Sequence, residues 1–283
     1  MVETSRRAFV LSGVTGMAAA SITGAQKTWA NNGQLSGRDG YKRLNLAMAS
    51  YTFRKFNLDD TLAMTKRLGL ERIAFKSFHL PLDSTKDQIR AVAAKVKEAG
   101  LDLYGCGVVY MTNESEVNQA FEYARTAGMN VIIGVPEHNL LSLVNKKVQE
   151  YNLKLAIHNH GPGDERYPTP ESAYERIKNL DSRMGLCIDI GHTQRSGIDP
   201  SDAAEKYADR LLDVHIKDVS AASKEGNTVE IGRGVIDIPK FLRTLLRIHY
   251  TGMVALEYEK DENDPLAGSA ESIGYLKGVL AVI

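Results

Sequence analysis

The sequence predicts a single-domain (β/α)8 TIM barrel, an α/β fold with one closed parallel sheet, on three observations. From residue 44 onward, short apolar runs alternate eight times with amphipathic segments. Gly69, Gly100 and Gly128 stand where helical patterns stop and the next apolar run begins. Four of the later runs end in His, Asp or Glu, as barrel strands do when their carboxyl ends face a reaction site.

Taken in order, the first run, 44–48, precedes an amphipathic segment at 58–68 that Gly69 closes. The second, 72–75, precedes 86–99, where apolar residues such as Ile89, Val92, Ala93 and Val96 recur at helical spacing up to Gly100. The third, 101–109, leads to 116–127 and Gly128, and the fourth, 130–135, to 140–151. Runs 153–157, 184–190, 211–216 and 253–258 pair in the same way with 171–179, 200–207, 238–248 and 270–282. An open doubly wound sheet would need a Gly-rich phosphate turn after the first strand, and Ala49-Ser50-Tyr51-Thr52-Phe53 is not one.

Composition agrees with one such domain. The 283 residues are 43% hydrophobic and 25% charged, and the body at 44–283 has about the length that a barrel takes, roughly 250 residues. The 35 basic residues balance 35 acidic ones, which argues against a nucleic-acid partner, because that recognition shows as a basic patch or stripe. Cys106 and Cys187 lie in apolar runs on different strands and read as buried packing thiols rather than a disulfide.

The start of the chain reads differently. Ser5-Arg6-Arg7-Ala8-Phe9-Val10, a weakly apolar stretch rich in Ala, Gly, Ser and Thr, and then Thr28-Trp29-Ala30 resemble a twin-arginine signal peptide over 1–30, with a linker at 31–43. The stretch is too short and too polar to span a bilayer as a helix, which takes about 20 mainly apolar residues. The expectation is an exported, periplasmic protein with no stable membrane insertion once the signal is removed.

The ligand-type residues carry the chemistry. His158-Asn159-His160, Asp189, His215 and Glu257 each follow an apolar run, so four strands deliver imidazoles and carboxylates to one rim. Mixed nitrogen and oxygen donors suit one divalent ion of Zn, Mn, Co, Ni or Fe better than calcium. Either His158 or His160 can be the fifth-strand ligand, because side chains two apart on a strand share a face. By position, Lys76 and His79 after the second strand and Glu137 after the fourth point to the same rim as substrate contacts. His192, three residues beyond Asp189, is placed to orient that ligand or to touch substrate, and Arg233, in Gly232-Arg233-Gly234, to bind substrate oxygens. Lys217, two beyond His215, should face the same way and stabilise an oxyanion.

Cys187-Ile188-Asp189-Ile190-Gly191-His192, Val214-His215-Ile216-Lys217-Asp218 and Ala255-Leu256-Glu257-Tyr258-Glu259 resemble the xylose isomerase-like barrels of the sugar phosphate isomerase and epimerase family. The resemblance runs from about residue 44 to the C-terminus. It implies a metal held by residues from the fifth to eighth strands, with Asp189, His215 and Glu257 in the last three places. The family's fifth-strand glutamate is replaced here by His158-Asn159-His160. It further implies proton abstraction next to a carbonyl through an enediolate by a pair of glutamates, of which Glu257 is present. In place of the missing one, His160 or His158 can be the second base, an imidazole being suited to work near neutral pH. The expected substrate is a free or oxidised sugar, turned over by an isomerase or epimerase. A lyase or epimerase acting on 3-keto-glycosides is the alternative, and a non-catalytic carbohydrate-binding protein the second. Homo-oligomerisation is left open.

Overall fold

Residues 43–283 are described by a computed structural model, so the twin-arginine pattern and nearly all of the linker lie outside the described residues. Strands β1 (Asn45–Ala49), β2 (Arg72–Phe75), β3 (Asp102–Met111), β4 (Val131–Pro136), β5 (Lys154–His158), β6 (Met184–Asp189) and β7 (Leu211–Ile216) run side by side in chain order. A short antiparallel hairpin, β8 (Asp218–Val219) with β9 (Thr228–Val229), interrupts the series. Strand β10 (Met253–Leu256) then pairs in parallel with both β7 and β1 and closes the barrel.

Helices α1 (Leu58–Arg67), α2 (Lys86–Glu98), α3 (Glu114–Ala127), α4 (Leu141–Tyr151) and α5 (Pro170–Ile177) each follow a strand. Two short helices, α6 (Ile190–Arg195) and α7 (Pro200–Lys206), follow β6, while α8 (Ile238–Arg247) and α9 (Pro265–Val282) follow β7 and β10. Local chemistry starts and stops them. Asn57 and Asn113 cap α1 and α3 through their side chains, and Thr85 with Gln88 makes a capping box on α2. Gly128 ends α3 in the left-handed conformation. On α8 the apolar face of Phe241, Leu242 and Leu245 is fully buried, each side chain contributing roughly 1.5–3 kcal/mol.

Every predicted strand and its following helix is present, with ends shifted by a few residues. Two elements were not expected. Helix α6 starts directly after β6, with Asp189 as its cap, and no polar break separates the two. The hairpin strands are two residues long, below the length at which any alternation can be read. Cys106 and Cys187 are free and buried, as expected.

One irregularity positions the site. Between Leu186 and Cys187 the register of β6 against β7 shifts by a residue, so Asp189 stands level with His215 rather than with Val214. Because side chains alternate faces along a strand, a one-residue change of register decides which of them meet.

Candidate metal centre

His158 ends β5, Asp189 ends β6, His215 is the fifth residue of β7, and Glu257 follows the last residue of β10. Their side chains converge. His158 Nε2 lies 3.1 Å from His215 Nδ1 and 3.4 Å from Asp189 Oδ2, and His215 Nδ1 lies 3.2 Å from Glu257 Oε2. One donor atom from each of the four falls within 4.8 Å of the others, and all four residues are buried. Asp189 divides its carboxylate between two tasks. Oδ1 accepts the His192 N–H at 2.8 Å and caps α6, which leaves Oδ2 for the cluster.

These residues fit a metal ion. A cation with nitrogen and oxygen donors at about 2.0–2.2 Å would set neighbouring donors roughly 3–3.5 Å apart, the spacing seen between the two imidazoles and the carboxylates. Asp189 Oδ2 is buried and accepts no hydrogen bond. The Lys217 ammonium is 2.9 Å from it, within ion-pair distance but off a hydrogen-bonding direction. Lys217 Nζ instead donates to Glu257 at 2.7 Å and Glu259 at 3.1 Å. Two buried carboxylates, Asp189 and Glu257, against one ammonium leave the cluster net negative, with the partly exposed Glu259 adding a further negative charge at its edge, a field that favours a bound cation.

The field of the cluster appears in its protonation. Burial pushes His158 down to about 3, against a smaller opposing pull from Asp189, so its ring is neutral as a ligand must be. Burial resists ionisation of Asp189 and Glu257, yet His192 and the Lys217 ammonium beside Asp189, and Lys217 and His215 beside Glu257, hold both well below the ordinary carboxylate range. His215 moves up, because Glu257, Asp213 and Asp189 outweigh its burial. A field that favours a proton on His215 also favours a metal cation beside it.

The cluster opens into a cavity of about 290 Å³. His158 and Glu257 line it from the donor group, joined by His160, His192 and Lys76 of the sequence-predicted residues. His160 Nε2 lies 3.0 Å from the Tyr110 hydroxyl, and the two rings stack with centroids 5.6 Å apart. His160 and His192 are held low by burial first. Burial also lowers Lys76, against a smaller opposing effect of Glu257, and its ammonium donates to the Val108 carbonyl.

Other expected contacts are not brought to this cavity. His79 is buried beside Ser50 and Thr61, with its Nε2 facing the Phe53 and Phe56 carbonyls, so it ties the loop after β1 to the loop after β2. Arg233 pairs with Glu271 of α9 through two hydrogen bonds. Glu137 pairs with Arg166. Lys217 does not line the cavity, because three carboxylates draw its ammonium away from an oxyanion position; Gly191 makes room for it, since a Cβ there would sit 2.5 Å from Lys217 Cγ.

Tyr110 and Glu259 line the cavity and were missed. Tyr110 could have been found by extending the apolar run of β3 one residue further, and Glu259 by its same-face spacing from Glu257. Asn159, between the two histidines, accepts the Asp189 N–H at 3.1 Å and donates to Thr193, which fixes the two loops against each other.

Residues 50–279 match the family of xylose isomerase-like TIM barrels. The chain belongs to this family. Over 135 residues it is 32% identical to the rhizopine catabolism protein MocC of Rhizobium meliloti, which covers 42% of this chain and 40% of that protein. Over 138 residues it is 30% identical to the inosose dehydratase of Bacillus velezensis, covering 43% of this chain and 45% of that one. The chain thus spans less than half the length of these curated relatives. Among solved structures, it is similar to an L-ribulose 3-epimerase (TM-score 0.69, 17% identity, 84% of this chain and 94% of that one). It is also similar to the IOLI protein with a bound zinc atom (TM-score 0.70, 17% identity, 84% and 98%). At those identities the likeness is one of fold.

Proposed function

We propose that the protein is a metal-dependent sugar isomerase or epimerase that moves the proton next to a carbonyl of a free or oxidised sugar. The observation that carries this reading is the buried four-donor group opening onto a cavity lined by His160, His192 and Lys76. His158, Asp189, His215 and Glu257 would hold the ion. When bound, a divalent cation offsets negative charge that develops on adjacent sugar oxygens.

The chain's own groups supply the rest. With its hydrogen on Nδ1, which faces the Asp164 carboxylate at 3.9 Å, His160 keeps the Nε2 lone pair for the cavity. Nε2 takes the proton from the carbon next to the carbonyl, in the place where the Tyr110 hydroxyl now donates. The protonated His160 returns that proton to the neighbouring carbon in an isomerase, while the ionised Glu257 passes the hydroxyl proton between the two sugar oxygens; in an epimerase the same carbon is reprotonated on its other face by a proton drawn from solvent. Lys76 faces the oxygen that gains charge, taking over the role expected of Lys217. His192 contacts sugar hydroxyls.

An unphosphorylated substrate is favoured by how the Gly232-Arg233-Gly234 turn is used. Such a turn could cradle a phosphate with its backbone N–H groups. Here Gly232 and Gly234 donate to Asp218 Oδ2 at 3.0 Å each, and Val219 and Ile236 to Oδ1 at 2.9 and 3.2 Å. The chain's own carboxylate fills the nest. A Cβ on Gly234 would fall 2.1 Å from Asp218 Oδ1, so this close approach requires glycine. The twin-arginine pattern also favours a free sugar, because it would take the folded protein out of the cytoplasm.

The inosose dehydratases among the relatives favour a second reading, in which the same proton abstraction is followed by loss of a β-substituent, as in a 3-keto-glycoside lyase. Proton NMR in D₂O with metal-loaded protein and a panel of free sugars and 3-keto-glycosides tests both. Deuterium should enter beside the carbonyl, and Glu257→Gln should suppress it; the product separates epimerisation from elimination. Sugar binding without any exchange would leave a carbohydrate-binding protein.

A further inference from the structure

A second cavity of about 220 Å³ adjoins the first at the carboxyl ends of β2 and β3. The two share Lys76, Val108 and Tyr110 as walls. Their chemistry differs. The first is ringed by imidazoles and carboxylates, whereas the second is walled by Phe75, Leu82, Val109 and Tyr123. The Tyr123 hydroxyl is already bonded to the Leu80 carbonyl at 3.1 Å, so the residue presents its ring. Burial pushes the Cys106 thiol up to about 12, which makes it an apolar lining group rather than a nucleophile.

The mouth between the cavities is aromatic. Phe78, which follows Ser77 of the second cavity, sets its ring 6.0 Å from that of Tyr51 in the first. Phe78 is 56% exposed and Tyr110 44%, so both leave aromatic surface open to solvent. Lys76 stands on the boundary, with its ammonium 5.6 Å from the centre of the Tyr110 ring.

We propose that the second cavity is an aglycone subsite, which receives an apolar ring joined through oxygen to the sugar in the first cavity, with Lys76 facing the linking oxygen. The inference rests on the 3-keto-glycoside reading above and names its substrate class as oxidised glycosides of small apolar alcohols or phenols. Size sets the limit. An apolar void of about 150 Å³ accepts benzene, so this one accepts a single ring with small substituents.

Calorimetric titration of the zinc-loaded full chain with matched methyl and phenyl 3-keto-β-pyranosides of glucose, galactose and xylose tests it. Phenyl members should bind at least tenfold tighter than their methyl partners, and Leu82→Trp, which fills the cavity, should bring that ratio near one. Equal affinities in the wild-type protein would overturn the subsite and leave the sugar reading standing. Binding of no glycoside in the panel would overturn both. If Leu82→Trp does not fold, saturation-transfer NMR on the wild-type protein decides: strongest transfer to the phenyl protons supports the subsite, and transfer confined to the sugar protons overturns it.

Discussion

His79, four residues beyond β2, and His158, the last residue of β5, are both buried histidines, and Asp218 and Asp189 are both fully buried aspartates on the same rim. The members of each pair do opposite things. Around His79, two hydroxyls and two carbonyls surround the ring nitrogens. Asp218 accepts four backbone N–H groups, two on each oxygen. These groups are complete within the chain. In the other region, Asp189 Oδ2 accepts nothing, and His158 Nε2 faces another imidazole nitrogen, where at most one hydrogen can sit between two lone pairs. A buried polar group is costly unless partnered, so a cluster left open while its neighbours are closed is one arranged for a ligand from outside. Neither burial nor a single open atom separates a site from a scaffold, since Asp213 Oδ2 and Ser269 Oγ are also buried and unpartnered; the convergence of four donors does.

That contrast can be broken by substitution. The largest effect is expected at His160, on the open side. His160→Gln should lower turnover by roughly 10²–10⁴, as loss of a general base does, while zinc affinity measured by competition with a chromophoric chelator stays within about threefold. A parallel collapse of zinc affinity would make His160 a ligand and displace His158 from that place.

On the closed side the cost should fall on stability. Asp218→Ala strands four backbone donors and should destabilise the fold by about 3–5 kcal/mol in urea titration, with zinc affinity of the folded protein retained. Unchanged stability would mean that the turn around Gly232 is not organised by this carboxylate. The smallest effect is expected at Arg233, whose pairing with Glu271 is solvent-exposed. Arg233→Ala should leave the urea midpoint and KM unchanged, because an exposed pair contributes little, and a raised KM would return Arg233 to the substrate.

The same contrast explains what could be read from the chain. The barrel was legible because apolar runs, polar helix faces and junction glycines such as Gly69 and Gly100 repeat with one period. The positions of Asp189, His215 and Glu257 were legible because each follows such a run. The role of His79 was not. A histidine after a strand reads the same whether it faces the cavity or the Ser50 and Thr61 hydroxyls, since those partners lie 29 and 18 residues away in sequence. Lys217 shows the same limit. Its spacing from His215 set its face correctly, but only the fold reveals three carboxylates competing for its ammonium. Tyr110 was missed for a different reason, because β3 runs to Met111, past the point where its apolar pattern weakens.

Equilibrium dialysis of the purified protein against zinc, with Asp189→Asn beside it, tests the central claim most directly. One ion retained per chain, with affinity falling by more than about a hundredfold in the variant, is the predicted result, because the substitution removes a buried, unpartnered carboxylate oxygen of the four-donor group and keeps the side chain's shape. Wild-type protein that retains no zinc, or that binds it no better than Asp189→Asn, would contradict it.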